Sequence, residues 1–410
     1  MKESCDRWIP DNIVDTWWNK ITKTSKMAFF SALVIGFLCH FAGINKWGLF
    51  NWDQRFNKDV ISQLWLSQGK WLGGSVSYLL CDEYSSLSYS TAIGLVCIAV
   101  LAAILVKTFS IKSTVIAAGI GGVLATFLSV MQIIVYNVEI YFAVALICVL
   151  SVAVTCFYQG RCGWLVGTVL LTLALGIYPA YISFAACALL LLIAMEVFRE
   201  GSTFLSIVKT ALKAFFHLLC ALLLYGITLQ IVLTVKDTEL SNYYNMDQAG
   251  HILINKIPEY IVQIYQNVLG FFWNDIFGTK DLYIIFSYRL FLFLMVISII
   301  YTVIYRKIYK KIYKLAILSG ILLLYPIAVD LASLIGNGVS THWLMKYTYV
   351  MVPIAALVVT DWCLQSAFAV DELPGKNKVL IILQQWVTFA LCIAMVHGNC
   401  LVTNQGYLRM

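Results

Sequence analysis

Residues 282–335 read LYIIFSYRLFLFLMVISIIYTVIYRKIYKKIYKLAILSGILLLYPIAVDLASLI. The apolar runs 282–305 and 315–335 each have the length of a bilayer-spanning helix, about 20 residues. Between them stands RKIYKKIYK, residues 306–314, with five cations. Lysine and arginine beside spans are retained on the cytoplasmic side, so this pattern predicts two membrane helices joined by a short cytoplasmic loop.

Working outward, similar runs appear at about 27–45, 91–107, 113–135, 139–157, 164–177, 181–197, 210–234, 347–365 and 379–397. The expected fold is an all-α polytopic membrane protein of about eleven transmembrane helices. Composition agrees. Of 410 residues, 61% are hydrophobic and 12% charged, and the mean hydropathy is +0.84. A soluble surface cannot be built from such a chain, whereas lipid-facing residues need not be polar.

With the N-terminus placed in the cytoplasm, alternation puts eighteen cations on the cytoplasmic side and nine on the other, with Arg289 inside a span. That bias predicts N-in and C-out. The net charge of +7 therefore reads as orientation signals, not as a nucleic-acid surface. Residues 1–26, with Trp8, Trp17 and Trp18, read as a cytoplasmic interfacial segment without a cleavable signal, leading into a single membrane domain. The long loops, 46–90, 235–281 and 336–346, then share the external face, as an enzyme working at that face would need. No hydropathy repeat supports an inverted-repeat transporter. Most cysteines lie in apolar runs. Cys81 and Cys400 are expected in external loops, where they could form a disulfide.

Chemistry-bearing residues concentrate in these loops. Asp53, with Arg55 beside it and Asp59 six residues on, could act as a general base near the bilayer surface or be a solvated loop charge. A helix is expected over 58–67, ahead of SQGKWLGG; Trp65 and Trp71 could stack on sugars or belong to the aromatic belt. Asp82 and Glu83 form a second acidic pair. In HILINKIPEYIVQIYQNVLGFFW, 251–273, Ile254, Ile257, Ile261, Ile264 and Val268 share one helical face, which suits a helix lying in the outer interface, bordering a lipid-substrate groove, or equally one packed on the bundle.

Arg289 lies roughly 12 Å into its span. A charge there suggests a phosphate partner, with snorkelling as the alternative. In GNGVSTHWLMKYTYV, 336–350, His342 and Lys346 could meet a phosphate from above, and the preceding Asp330 could pair with a cation of this loop. Tyr178 and Tyr181 flank Pro179 in GIYPAYIS, as belt anchors or substrate contacts. Phosphate-loop, zincin and nucleophile-elbow motifs are absent, and no acidic cage supports a divalent metal.

The segment NWDQRFNKDVISQLWLSQGKWLGGSVSYLL, 51–80, following a span, resembles the opening of the integral-membrane glucosyltransferases that modify bacterial O-antigen. These are the serotype-converting, often phage-encoded Gtr enzymes. Their acidic motif with a following arginine corresponds to Asp53 and Arg55, and their GRW to Gly69, Lys70 and Trp71. LALGIYPAYIS, 173–183, resembles a later family segment. This chain departs at Gln54, where a second Asp is common, at Lys70 for Arg, and at Pro179 for Gln.

The resemblance implies a GT-C-like fold with large periplasmic loops in the bacterial inner membrane. The implied reaction moves glucose from a polyprenyl-phosphate donor to a lipid-linked O-antigen acceptor, with inversion and an Asp base. Enzymes that make and flip the lipid-linked sugar are the implied functional partners. A flippase for a lipid-linked glycan and an O-antigen polymerase-type transferase are the rival readings.

Overall fold

The computed structural model describes residues 18–44, 58–80, 87–134, 138–157, 161–242, 254–274, 281–338, 341–368 and 375–409. Within them the elements are α1 (Lys23–Ile44), α2 (Lys58–Ser67), α3 (Gly73–Leu80), α4 (Leu87–Thr108), α5 (Thr114–Thr126), α6 (Ser129–Ile134), α7 (Val138–Phe157) and α8 (Arg161–Ile177). There follow α9 (Ile182–Phe198), α10 (Phe204–Val235), α11 (Ile257–Trp273), α12 (Leu282–Tyr305), α13 (Ile312–Val329), α14 (Leu331–Ile335), α15 (Met351–Phe368) and α16 (Gly375–Arg409). No strand occurs among the described residues. The chain is an all-α polytopic membrane protein: nine helices in the described residues are long and apolar enough to cross a bilayer. Two shorter apolar helices, Thr114–Thr126 and Cys162–Ile177, fall in the remaining runs.

Small residues set the tightest packing. A Cβ on Gly121 of α5 would come within 2.3 Å of the Ala28 carbonyl oxygen on α1, so only glycine admits this approach. The run 113–135 breaks at Phe127 and Leu128 into α5 and α6. The N-terminus of α5 is capped by Ser113, whose hydroxyl accepts from the Ile116 amide at 3.3 Å. From α15, buried Asp361 accepts from the amides of Lys112 and Ser113.

The basic run has a structural use. Lys314 Nζ donates to the carbonyls of Val197 (2.9 Å) and Arg199 (3.2 Å), and Arg306 donates to the Phe198 carbonyl and to Ser366 Oγ. Both cations close the C-terminus of α9, where the carbonyls and the helix dipole favour positive charge.

At the opposite, loop-bearing end, two expectations change. The run 315–335 is not one helix: α13 contains Pro326 and stops at Asp330, and α14 is a separate turn. Cys400 lies within α16, not in a loop, and faces Cys39 on α1; Cys81 lies outside the described residues. The amphipathic helix α11 packs on the bundle. Its buried face is Tyr260, Ile264, Val268, Phe271 and Phe272, and it contacts α12, α13 and α14. Phe271 and Phe272 reach Tyr349 and Tyr288. Ile257 and Ile261 remain only half-buried.

Candidate functional site

The loop end is organised by the turn after α2. Gly69 takes φ +79°, its amide donates to the Leu66 carbonyl at 2.9 Å, and the Lys70 amide donates to the Trp65 carbonyl at 2.9 Å. This is a Schellman stop, which needs the left-handed conformation that glycine adopts freely. It folds Lys70 back over its own helix. The ammonium donates to Gln68 Oε1 at 2.8 Å and stands 5.6 Å from the Trp65 ring and 5.0 Å from the Tyr178 ring. Tyr225 of α10 donates to the Gly69 carbonyl, and the Leu72 amide donates to the Gly176 carbonyl at the end of α8.

Trp65, Lys70, Trp71, Tyr178 and Tyr181 are thereby brought to one place. Trp65 is buried, and Trp71 packs against Gly176. Tyr178 stacks edge-on against Tyr141 and Tyr181, at 4.8 and 5.1 Å between centroids. Tyr181 is fully buried, and its hydroxyl donates to the Leu344 carbonyl at 2.8 Å, which ties this cluster to the loop carrying His342 and Lys346. His342 Nδ1 accepts from the Leu344 amide at 3.3 Å. Burial, aided by Lys346, lowers the His342 pKa and favours neutral imidazole. Lys346 Nζ stands 4.8 Å from the Trp343 ring.

A second cluster surrounds Asp330, which is 1% exposed. Ser333 Oγ donates to its Oδ2 at 2.9 Å, and Tyr349, Asn267 and Thr341 also face the carboxylate. In place of the cation expected from the following loop, these partners are hydroxyls and an amide. Burial raises the pKa of Asp330 to about 6, against the lowering effect of those donors. The hydroxyls of Thr341 and Tyr349 are buried without a well-formed hydrogen bond.

Directly beneath lies an apolar groove of about 400 Å³ between α9, α11, α12, α13 and α15. Val268, Pro326 and Val352 line it, each within one helical turn of Asn267, Asp330 and Tyr349. Its lining also includes Leu269, Trp273 and Leu322, all exposed on the lipid-facing surface, so the groove opens sideways. Arg289 marks its rim. The guanidinium donates to the Trp273 carbonyl, stands 4.6 Å from the Trp273 ring, and has a buried Nε without a partner.

Asp53 and Arg55 lie outside the described residues. Asp59 falls in α2, with its side chain outside them too. Among the described residues, no three His, Cys, Asp or Glu side chains gather as a metal site. Sequence reasoning missed Asn267, Thr341 and Tyr349, which come from three separate segments with no shared spacing. The signal available was a lone carboxylate, Asp330, ending an apolar run.

Comparison with protein-family models matches residues 48–360 to the family described as Glucosyl transferase GtrII. Comparisons with curated proteins and with solved structures return no match.

Proposed function

Because the chain belongs to the GtrII glucosyl transferase family and is therefore a glycosyltransferase, we propose that it moves glucose from a polyprenyl-phosphate donor to lipid-linked O-antigen. The reaction takes place at the periplasmic face of the bacterial inner membrane, with the basic loops in the cytoplasm. The observation that carries this reading is the sideways-open apolar groove with Arg289 at its rim. A prenyl chain enters such a groove from the bilayer without crossing water. Its phosphate then meets a guanidinium with a spare Nε donor.

Asp53 takes the proton from the acceptor hydroxyl, with Asp59 and Arg55 close in sequence. The oxygen attacks the anomeric carbon from the side opposite the phosphate, the carbon–oxygen bond to phosphate breaks, and its electron pair leaves with the polyprenyl phosphate. The anomeric configuration inverts. Arg289, His342 and Lys346 stabilise the departing charge. Lys70 and Trp71, backed by the buried Trp65, Tyr178 and Tyr181, order the sugars.

The test is transfer by purified protein in nanodiscs, supplied with polyprenyl-phosphate glucose and a lipid-linked O-antigen acceptor. Wild type is expected to transfer, and folded Asp53→Asn to lose activity by orders of magnitude. Full activity in Asp53→Asn removes that residue from the mechanism. Absence of transfer by wild type, with other donors also tried, favours a polymerase or a flippase.

A further inference from the structure

The cluster around Asp330 has no part in the reaction as written. Its composition restricts what it can hold. The groups facing the carboxylate are Ser333, Thr341, Tyr349 and Asn267, and none carries a charge. A phosphate would meet a carboxylate there with no cation to offset it. A divalent metal would ordinarily draw more than one carboxylate. A polyhydroxylated ligand fits, because a carboxylate accepts from its hydroxyls while Thr341 and Tyr349, buried and lacking well-formed bonds, both donate and accept.

Position supplies the second argument. Asn267 and Trp273 are six residues apart on α11, roughly 9 Å along the helix. Asn267 faces Asp330, and Trp273 accepts from Arg289. The cluster and the guanidinium therefore meet the same helix at points that a phosphate and its attached hexose can span, both beside the apolar lining.

Resting on the proposed donor, we infer that Asp330, Thr341, Tyr349 and Asn267 form the subsite for the hydroxyls of the transferred sugar, and so set which hexose the donor carries. The prenyl chain lies in the groove, the phosphate at Arg289 and the sugar ring against Asp330. Replacing a carboxylate by an isosteric amide turns an acceptor into a group that is half donor. The hydroxyl pattern that bound best is then no longer favoured.

The experiment measures binding to nanodisc-embedded protein of three lipids: polyprenyl phosphate, polyprenyl-phosphate glucose and the galactose epimer. Wild type, Asp330→Asn and Thr341→Val are compared. The expected result is that both variants bind bare polyprenyl phosphate as wild type does. They lose about tenfold for the glucose lipid and discriminate less between the epimers. Unchanged glucose binding and epimer ratio overturn the inference. Equal loss for all three lipids also overturns it, since that marks a structural role. Thr341→Val keeps the test available if Asp330→Asn does not fold. Binding requires no turnover, so wild type that binds the glucose lipid selectively yet transfers nothing sinks the proposed reaction and leaves the subsite standing.

Discussion

The indole of Trp71 occupies the space that a Cβ on Gly176 would need, with ring atoms 2.5 Å from that position. The end of α8 and the turn after α2 are thus built around a missing side chain. Trp71 is displaced if the space is filled, and with it the strand of contacts from Lys70 to Tyr178. Gly176→Ala is expected to lower stability by about 1–3 kcal/mol, as overpacking does, and to reduce transfer. Adding Trp71→Leu should restore part of the stability but not the activity. Thermal unfolding in detergent with a transfer assay checks both; simple additivity of the two substitutions would refute the steric account.

Asp330 predicts a pH dependence whose direction follows from its burial. Its pKa rises from 3.8 to about 6 on folding. The folded state therefore holds the proton more tightly. Stability is greatest below 3.8, falls as pH rises through the window to about 6, and is level above it. Asp330→Asn should flatten that slope. If the ionised form accepts sugar hydroxyls, the KM for donor should rise as pH falls below about 6 in wild type and stay flat in the variant. His342, on the adjoining loop, has a lowered pKa, so its own titration lies at the acidic side. A wild-type profile without an inflection near 6 would count against Asp330.

Arg289 is expected to resist its conservative exchange. The guanidinium both caps the Trp273 carbonyl and faces its ring, a planar geometry that a lysine ammonium does not reproduce. Arg289→Lys should weaken binding of polyprenyl phosphate about tenfold in a lipid-competition assay. Retained affinity would assign the residue to helix capping alone.

Cys39 of α1 and Cys400 of α16 face each other as free thiols. Mild oxidation should therefore crosslink those two helices, detected as retained linkage of the fragments after cleavage of an intervening loop. Cys39→Ser should abolish the crosslink and Cys81→Ser should not. The opposite pattern would favour the Cys81–Cys400 disulfide that the sequence allows.

The helices were legible because apolar runs of spanning length have few other uses, and 58–67 matches α2 residue for residue. Breaks within runs were less visible. Asp330 ends α13 because Pro326 and a buried carboxylate make a helix end there easier to satisfy than a helix interior, and hydropathy averages over both. Cys400 misled for the opposite reason: polar residues Asn399, Thr403 and Asn404 resemble a loop, yet Asn399 and Thr403 are buried inside the bundle, with Asn399 bonded to Tyr288. Lys70 and Tyr178 were each named from the sequence, through motif resemblance, but their meeting was not, since it depends on the turn at Gly69. The cluster of Asn267, Thr341 and Tyr349 was not legible either, since it exists only once α11 packs on the bundle.

The lateral opening at Leu269 and Leu322 has a kinetic meaning. A ligand admitted there is never dissolved in the surrounding buffer, so molarity is the wrong scale for its occupancy. What counts is crowding within a two-dimensional sheet, the fraction of neighbouring lipids that are donor. Added plain phospholipid should slow turnover with no inhibitor present, as dilution does in a beaker, and a small patch enriched in donor should outpace a broad membrane holding the same number of molecules.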